Sequence, residues 1–343
     1  MKKVNLLLFA LGAMLLNTSL YAGGNPVEYL NSLNAHHQEI SKKTLKYTTA
    51  VAKDKSGRKI DKKRTDLITE ITNAIKEVKK IKDYEGDASL RDSVLNYLEM
   101  NKSLLTNEYA KIVDLEAIAE ESYDMMEAYL RVQEEANEKM QIASENLNDK
   151  VKEFASSHDI KIIESEDDKV SLQLKQASRM WNYYNEIYLI FFKAFKQEAY
   201  FLDALNRGDV NAMEQNNNAL LEFSNEGLEK LKKIKAFDGD NSLLEKCNEM
   251  LKFYKEQAEK KYPTMIAFNL KKEHFENVKT AFDKMPKKKR TQDKVDEYNN
   301  AINDYNNSIN EFNDVNEEAN KKRSKHLDQW NKASSKFTSK HVK

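Results

Sequence analysis

The 343-residue chain holds one cysteine, three prolines and eight glycines. Beyond its first residues it has no apolar run near the roughly 20 residues that span a bilayer. Each scarcity excludes something. A lone cysteine, Cys247, cannot close an intrachain disulfide, so stability must come from packing. It falls in the row Leu243, Leu244, Cys247, Met250, Leu251 and Tyr254, which reads as a buried, inert thiol. The shortage of Gly and Pro leaves little to break a helix, and the abundance of Glu, Lys, Leu and Ala favours helices over sheet. There is also no excess of one charge: Lys plus Arg number 56 and Asp plus Glu 56, which argues against a nucleic-acid binder. No phosphate loop, nucleophile elbow, HExxH or Cys–His pairing occurs. The sequence therefore assigns no catalytic, cofactor-binding or metal-binding residue, and the expectation is a non-enzyme without cofactors.

What is present begins with MKKVNLLLFALGAMLLNTSLYA, residues 1–22. Lys2 and Lys3 form a basic start, 4–16 an apolar stretch, and Leu20-Tyr21-Ala22 a cleavage site ahead of Gly23, the pattern of a secretory signal peptide. No cysteine follows to accept a lipid. Loss of this leader leaves 54 basic against 56 acidic side chains. Export to the periplasm or cell surface, with no transmembrane segment in the mature chain, is the expectation.

The rest is organised around 172–205, LQLKQASRMWNYYNEIYLIFFKAFKQEAYFLDAL. Met180, Tyr184, Ile187, Phe191 and Phe195 form one apolar row, and Trp181, Tyr188, Phe192, Ala199 and Leu202 another. A helix apolar on most of its circumference must be covered on most sides, which predicts a central core helix. Lys193, Lys196, Glu198 and Asp203 read as polar interruptions.

Other helices are expected over 27–52, 62–82, 89 to about 109, 114–156 and 291–339. Residues 67–109 align without a gap onto 220–262 at a constant shift of 153. Tyr84-Glu85-Gly86-Asp87-Ala88-Ser89-Leu90 meets Phe237-Asp238-Gly239-Asp240-Asn241-Ser242-Leu243, with capping boxes expected at Ser89/Asp92 and Ser242/Glu245. Further on, 134–139 matches 317–322 at a shift of 183, so the second copy carries about 30 extra residues near 264–293. The predicted organisation is all-α. A leader (1–22) precedes two tandem repeats, 23–160 and 170–343, each an antiparallel bundle of roughly four helices, separated by the polar stretch 157–169.

In the final helix Val295, Tyr298, Ile302, Tyr305, Ile309 and Phe312 are spaced 3,4,3,4,3, and the heptad runs on through Ala319, Arg323, His326, Trp330 and Phe337. That period predicts a coiled-coil seam, and a helix of about 74 Å needs a partner, for which 114–156 is the expected candidate.

Two groups suggest metals and read otherwise. The EGD and DGD turns lack the EF-hand frame and read as helix stops. His36-His37 has no ligand in metal spacing and reads as solvated.

Charge is unevenly spread. Residues 114–138 carry nine acids against Arg131; 321–343 carry eight bases, among them Lys321, Lys322, Lys325, Lys332, Lys336 and Lys340, against Asp328. A second basic knot is Lys287-Lys288-Lys289-Arg290. Lys321, Lys322, Lys325, Lys332, Lys336 and Lys340 are the candidate docking residues for an envelope protein, anionic lipid or glycan; mutual neutralisation of helical faces is the plainer alternative.

The mature start GNPVEYLNSL, the turn YEGDASLRD, the core segment MWNYYNEIYLIFFKAFKQEAY and the turn FDGDNSLL together resemble a family of bacterial exported or surface proteins of uncharacterised function, named from spirochaetes and found also in Bacteroidetes. The resemblance implies an envelope or surface location and carries over no functional residue. Two functions are then expected in turn: binding or scaffolding through long helical faces, or periplasmic binding of a small ligand or polymer in an aromatic pocket near Trp181 to Tyr188.

Overall fold

A computed structural model describes residues 16–17, 24–53, 57–108, 121–161, 163–164 and 169–342. The fold is all-α, as expected. The expected leader lies outside the described residues except for Leu16–Asn17 (β1), which pairs antiparallel with Ile163–Glu164 (β2). The chain forms two compact units, one of residues 1–185 with 335–343 and one of 186–334, so each boundary falls inside a helix. These divisions differ from the polar stretch 157–169, because the central helix supplies core to both units.

The first unit holds α1 (Gly24–Asn34), α2 (His37–Ala52), α3 (Gly57–Val78), α4 (Ser89–Ser103) and α5 (Tyr123–Ser157). Packing runs α2 on α3, α3 on α4 and α4 on α5. On α3, Leu67, Ile71, Ala74, Ile75 and Val78 are buried at helical spacing, the stripe that drives this packing. The helix expected over 27–52 is interrupted at Ala35–His36, where His36 reaches Glu70 on α3. Ser122 caps α5 by accepting from the Met125 amide at 3.2 Å. The expected extension of α5 back to 114 lies outside the described residues.

The central helix α6 (Lys169–Arg207) ends at Gly208, whose φ of +69° is the left-handed conformation that closes a helix. Asp209 then caps α7 (Val210–Leu231) by accepting from the Ala212 amide at 3.0 Å. In the second unit α7 packs on α8 (Ser242–Glu256) and on α9 (Tyr262–Lys284). Phe191, Phe192 and Ala194 of α6 are buried, and Phe191 stacks on Trp330 at 4.4 Å. Phe195, expected in the core, is only half-buried, resting on Phe191 at 5.5 Å.

The two matching segments have the same local geometry. In both, a 22-residue helix leads through a turn into a 15-residue helix and then a five-residue π turn, Leu104–Glu108 in one and Gln257–Lys261 in the other. Each turn is closed by a reciprocal backbone pair, Tyr84 with Asp87 and Phe237 with Asp240. The central residues have positive φ, +52° and +86° at Glu85 and Gly86, +47° and +80° at Asp238 and Gly239, so the hand is the same. The capping boxes are not formed. Ser89 and Ser242 lie inside their helices, and Asp87 and Asp240 accept from their amides at 2.8 and 2.9 Å. An aspartate two residues ahead of the amide has the shorter reach.

The final helix α10 (Gln292–His341) takes α9, rather than the expected 114–156 segment, as its partner over 298–312. Phe268 lies 4.2 Å from Phe312, Phe275 5.4 Å from Tyr305 and Phe282 4.9 Å from Tyr298. Each step of seven forward on α9 is seven back on α10, the register of an antiparallel coiled coil. Helices joined by a short turn are held next to each other, which decides the pairing.

Candidate functional site

The lysines singled out in the sequence do not all share one face of α10. Lys321, Lys325, Lys332 and Lys336 fall within about 60° of one another around the helix and are all exposed. Asp328 shares that face and pairs with Lys332 at 2.6 Å. Lys322 points elsewhere: it meets Glu318 at 2.9 Å and Glu256 of α8 at 3.5 Å, while Lys261 at the start of α9 meets Glu318 at 2.5 Å. Hydrogen bonds from Lys261 and then Lys322 hold the Glu318 carboxyl down at about 2. Lys322 is thus an internal tie. Lys340 is exposed and lies further round the helix than the other four.

The aromatic side chains expected to line a pocket are buried. Trp181 and Tyr184 touch edge to face at 5.5 Å in the first unit, and Tyr188 stacks on Phe192 at 5.5 Å in the second, all three buried. Among the described residues, cavities of about 40 Å3 and about 20 Å3 lie in the first unit, both touching Leu33, His37, Val94, Tyr97 and Leu147. Small-ligand sites measure roughly 300–1,000 Å3; these would take waters. The histidines are not simply solvated. His36 Nδ1 lies 2.9 Å from Glu70, which also accepts from Lys43 at 2.6 Å, and His37 lines the cavities. Those two hydrogen bonds, Lys43 first, depress the Glu70 carboxyl.

Sequence reasoning missed a buried polar cluster in the second unit. Glu198 of α6 is 1% exposed. Arg323 of α10 places Nε 3.0 Å from Glu198 Oε1, close enough for an ion pair though not aligned for a hydrogen bond. Arg323 Nη2 donates to the Tyr262 hydroxyl at 3.0 Å, and that hydroxyl donates to Glu198. Phe201 covers the Tyr262 ring face to face at 4.0 Å. Burial pushes the Glu198 carboxyl above its ordinary range, against the pull of Arg323 and the Tyr262 hydroxyl. Tyr254 Oη and both polar amide atoms of Gln257 are buried without a hydrogen-bond partner among the described residues. The signal was the heptad itself: Arg323 occupies a seam position, and an arginine there needs an acid opposite it. Cys247 is fully buried, as expected, and burial raises its thiol well above the ordinary range.

Asp87 spends both carboxylate oxygens on Ser89, accepting from its amide at 2.8 Å and its hydroxyl at 3.0 Å. Those hydrogen bonds, the backbone one first, lower its carboxyl and give the EGD turn a capping role. Among the described residues no group of three or more His, Cys, Asp or Glu is placed to hold a metal ion, and no helix is long and apolar enough to cross a membrane. No family model, curated protein or solved structure matches the chain.

Proposed function

We propose that the chain is an exported bacterial envelope or surface protein that binds an anionic partner through its long helical faces and carries out no catalysis. The observation that carries this reading is the exposed row Lys321, Lys325, Lys332 and Lys336 on α10, with Asp328 the one acid within that stretch. The seam of the same helix faces inward, with Ala319, Trp330 and Phe337 buried, so the lysines are held outward by packing rather than by chance of rotamer. Export rests on the basic start and apolar stretch of residues 1–22. Family membership rests on the segments that resemble the exported and surface proteins described above. The matched helix–turn–helix segments are best read as two copies of one ancestral unit.

Cell fractionation with protease added to intact cells tests the location, and N-terminal sequencing of the native protein tests the leader. Recovery in the envelope or outside the cell, starting near Gly23, is the expected result. Cytoplasmic protein that begins at Met1 would overturn the reading.

A further inference from the structure

The loop between α9 and α10 presents a cluster of exposed positive side chains in the second unit. From 270 to 300 no side chain is fully buried, and only seam and turn residues are half-buried. The pair of helices therefore stands as a two-stranded arm with its own seam of Phe275, Phe282, Tyr298 and Tyr305. Its tip reads Lys284-Met285-Pro286-Lys287-Lys288-Lys289-Arg290, five bases without an acid; the nearest acids in sequence, Asp283 and Asp293, flank it.

The tip is built rather than loose. Pro286 leads into a single 3-10 turn, Lys287–Lys289. Arg290 folds back, donating from Nε to the Met285 carbonyl at 3.1 Å, with its guanidinium 4.5 Å from the centre of the Phe282 ring. Arg290 is thereby occupied as a clamp. Lys284, Lys287, Lys288 and Lys289 remain exposed, and no described acid lies within ion-pair distance of them. Elsewhere on this surface lysines pair along their own helix, as Lys294 does with Glu297 at 2.6 Å and Lys332 with Asp328.

We infer that this tip docks the protein on an anionic lipid surface, the four lysines meeting headgroup phosphates. A convex tip fits a flat bilayer face better than it fits a groove. It offers no exposed aromatic platform for nucleic-acid bases, since Arg290 covers Phe282, and no apolar anchor for a protein hot spot. Charge density is what it presents, and juxtaposed basic residues partition to anionic bilayers by roughly five-fold each at low salt.

The site is separate from the α10 lysine row, so the two can fail independently. The full mature chain is sedimented with phosphatidylcholine vesicles with and without phosphatidylglycerol, at low and high salt. The triple change Lys287→Ser, Lys288→Ser and Lys289→Ser is compared with Lys321→Ser, Lys325→Ser and Lys336→Ser. The expected result is binding to the phosphatidylglycerol vesicles alone, weakened by salt and by about a hundred-fold in the tip variant, with an unchanged melting temperature. The row variant keeps most of it. Equal binding by the tip variant overturns the inference while leaving the α10 row in place. Absence of vesicle binding, or binding only to duplex DNA or an acidic protein used as controls, also overturns it.

Discussion

Arg323 Nε lies 3.0 Å from Glu198 Oε1 inside a helical core, and the hydroxyl of Tyr262 joins the two, accepting from Arg323 Nη2 and donating to Glu198. Met140, which the sequence shift of 183 aligns with Arg323, is fully buried. An apolar core is thus a workable alternative at this position, and the pair is a departure from it.

Breaking the pair should be costly and replacing it cheap. Glu198→Leu or Arg323→Met alone strands one buried charge, at about 3–5 kcal/mol. The double variant Glu198→Leu/Arg323→Met should cost far less than the sum, because neither charge is then left buried. Urea unfolding of the four proteins checks this; additive losses would mean the two residues do not act as a pair.

Burial of Phe191 and half-burial of Phe195 separate two otherwise similar rings. Phe191→Ala should cost about 3–5 kcal/mol, since the ring is 1% exposed and stacked on Trp330. Phe195→Ala should cost about 1–2 kcal/mol. Thermal or urea melts that rank them the other way would contradict the described core.

Gly227 is needed for close approach. A Cβ there would sit 2.8 Å from Leu251 Cδ1 and 3.0 Å from Ile190 Cγ2. Gly227→Ala should destabilise despite alanine's better helix propensity, by about 1–3 kcal/mol. Adding Leu251→Ala should recover part of the steric loss. Gly239→Ala meets no atom within 4 Å, so its cost, about 1 kcal/mol, comes from the +80° φ alone.

His326 supplies a pH test. Its ring stacks on Phe253 at 4.9 Å, and burial, helped by Lys325, Lys246 and Lys322 and opposed by Glu249, lowers its pKa below 6.5. The unfolded chain then binds the proton more readily than the folded one. Stability from this group is full above the ordinary value and falls as pH drops from about 6.5 through the lowered value. Wild type should lose more stability than His326→Phe between pH 7.5 and 5, by urea midpoints; parallel losses would remove His326 as the cause.

Much of the architecture was legible. Strict periodicity marked the seam of α10 and the core row through Phe191, and the glycine turns identified themselves because Gly86 and Gly239 must take positive φ. Periodicity, however, states which face is covered and not what covers it. That is why α9 went unrecognised as the partner of α10, and why Phe195 was placed too deep. Glu198 was read as an interruption because an acid on an otherwise apolar helix is indistinguishable from a solvated one until its partner is located. The lysine row was legible from helical spacing alone, whereas the diversion of Lys322 to Glu318 and Glu256 depends on contacts with other helices.

The outward lysine row of α10 is the surface proposed to meet an anionic partner. Its direct test is binding of the purified protein to isolated bacterial envelopes over a salt titration, comparing wild type with Lys321→Glu/Lys325→Glu/Lys336→Glu and recording melting temperatures alongside. Attachment that weakens with ionic strength, and weakens several-fold in the variant while stability stays within about 0.5 kcal/mol, is the predicted result. Undiminished binding by the variant, or a large loss of stability, would contradict it and make the row part of the protein's own packing.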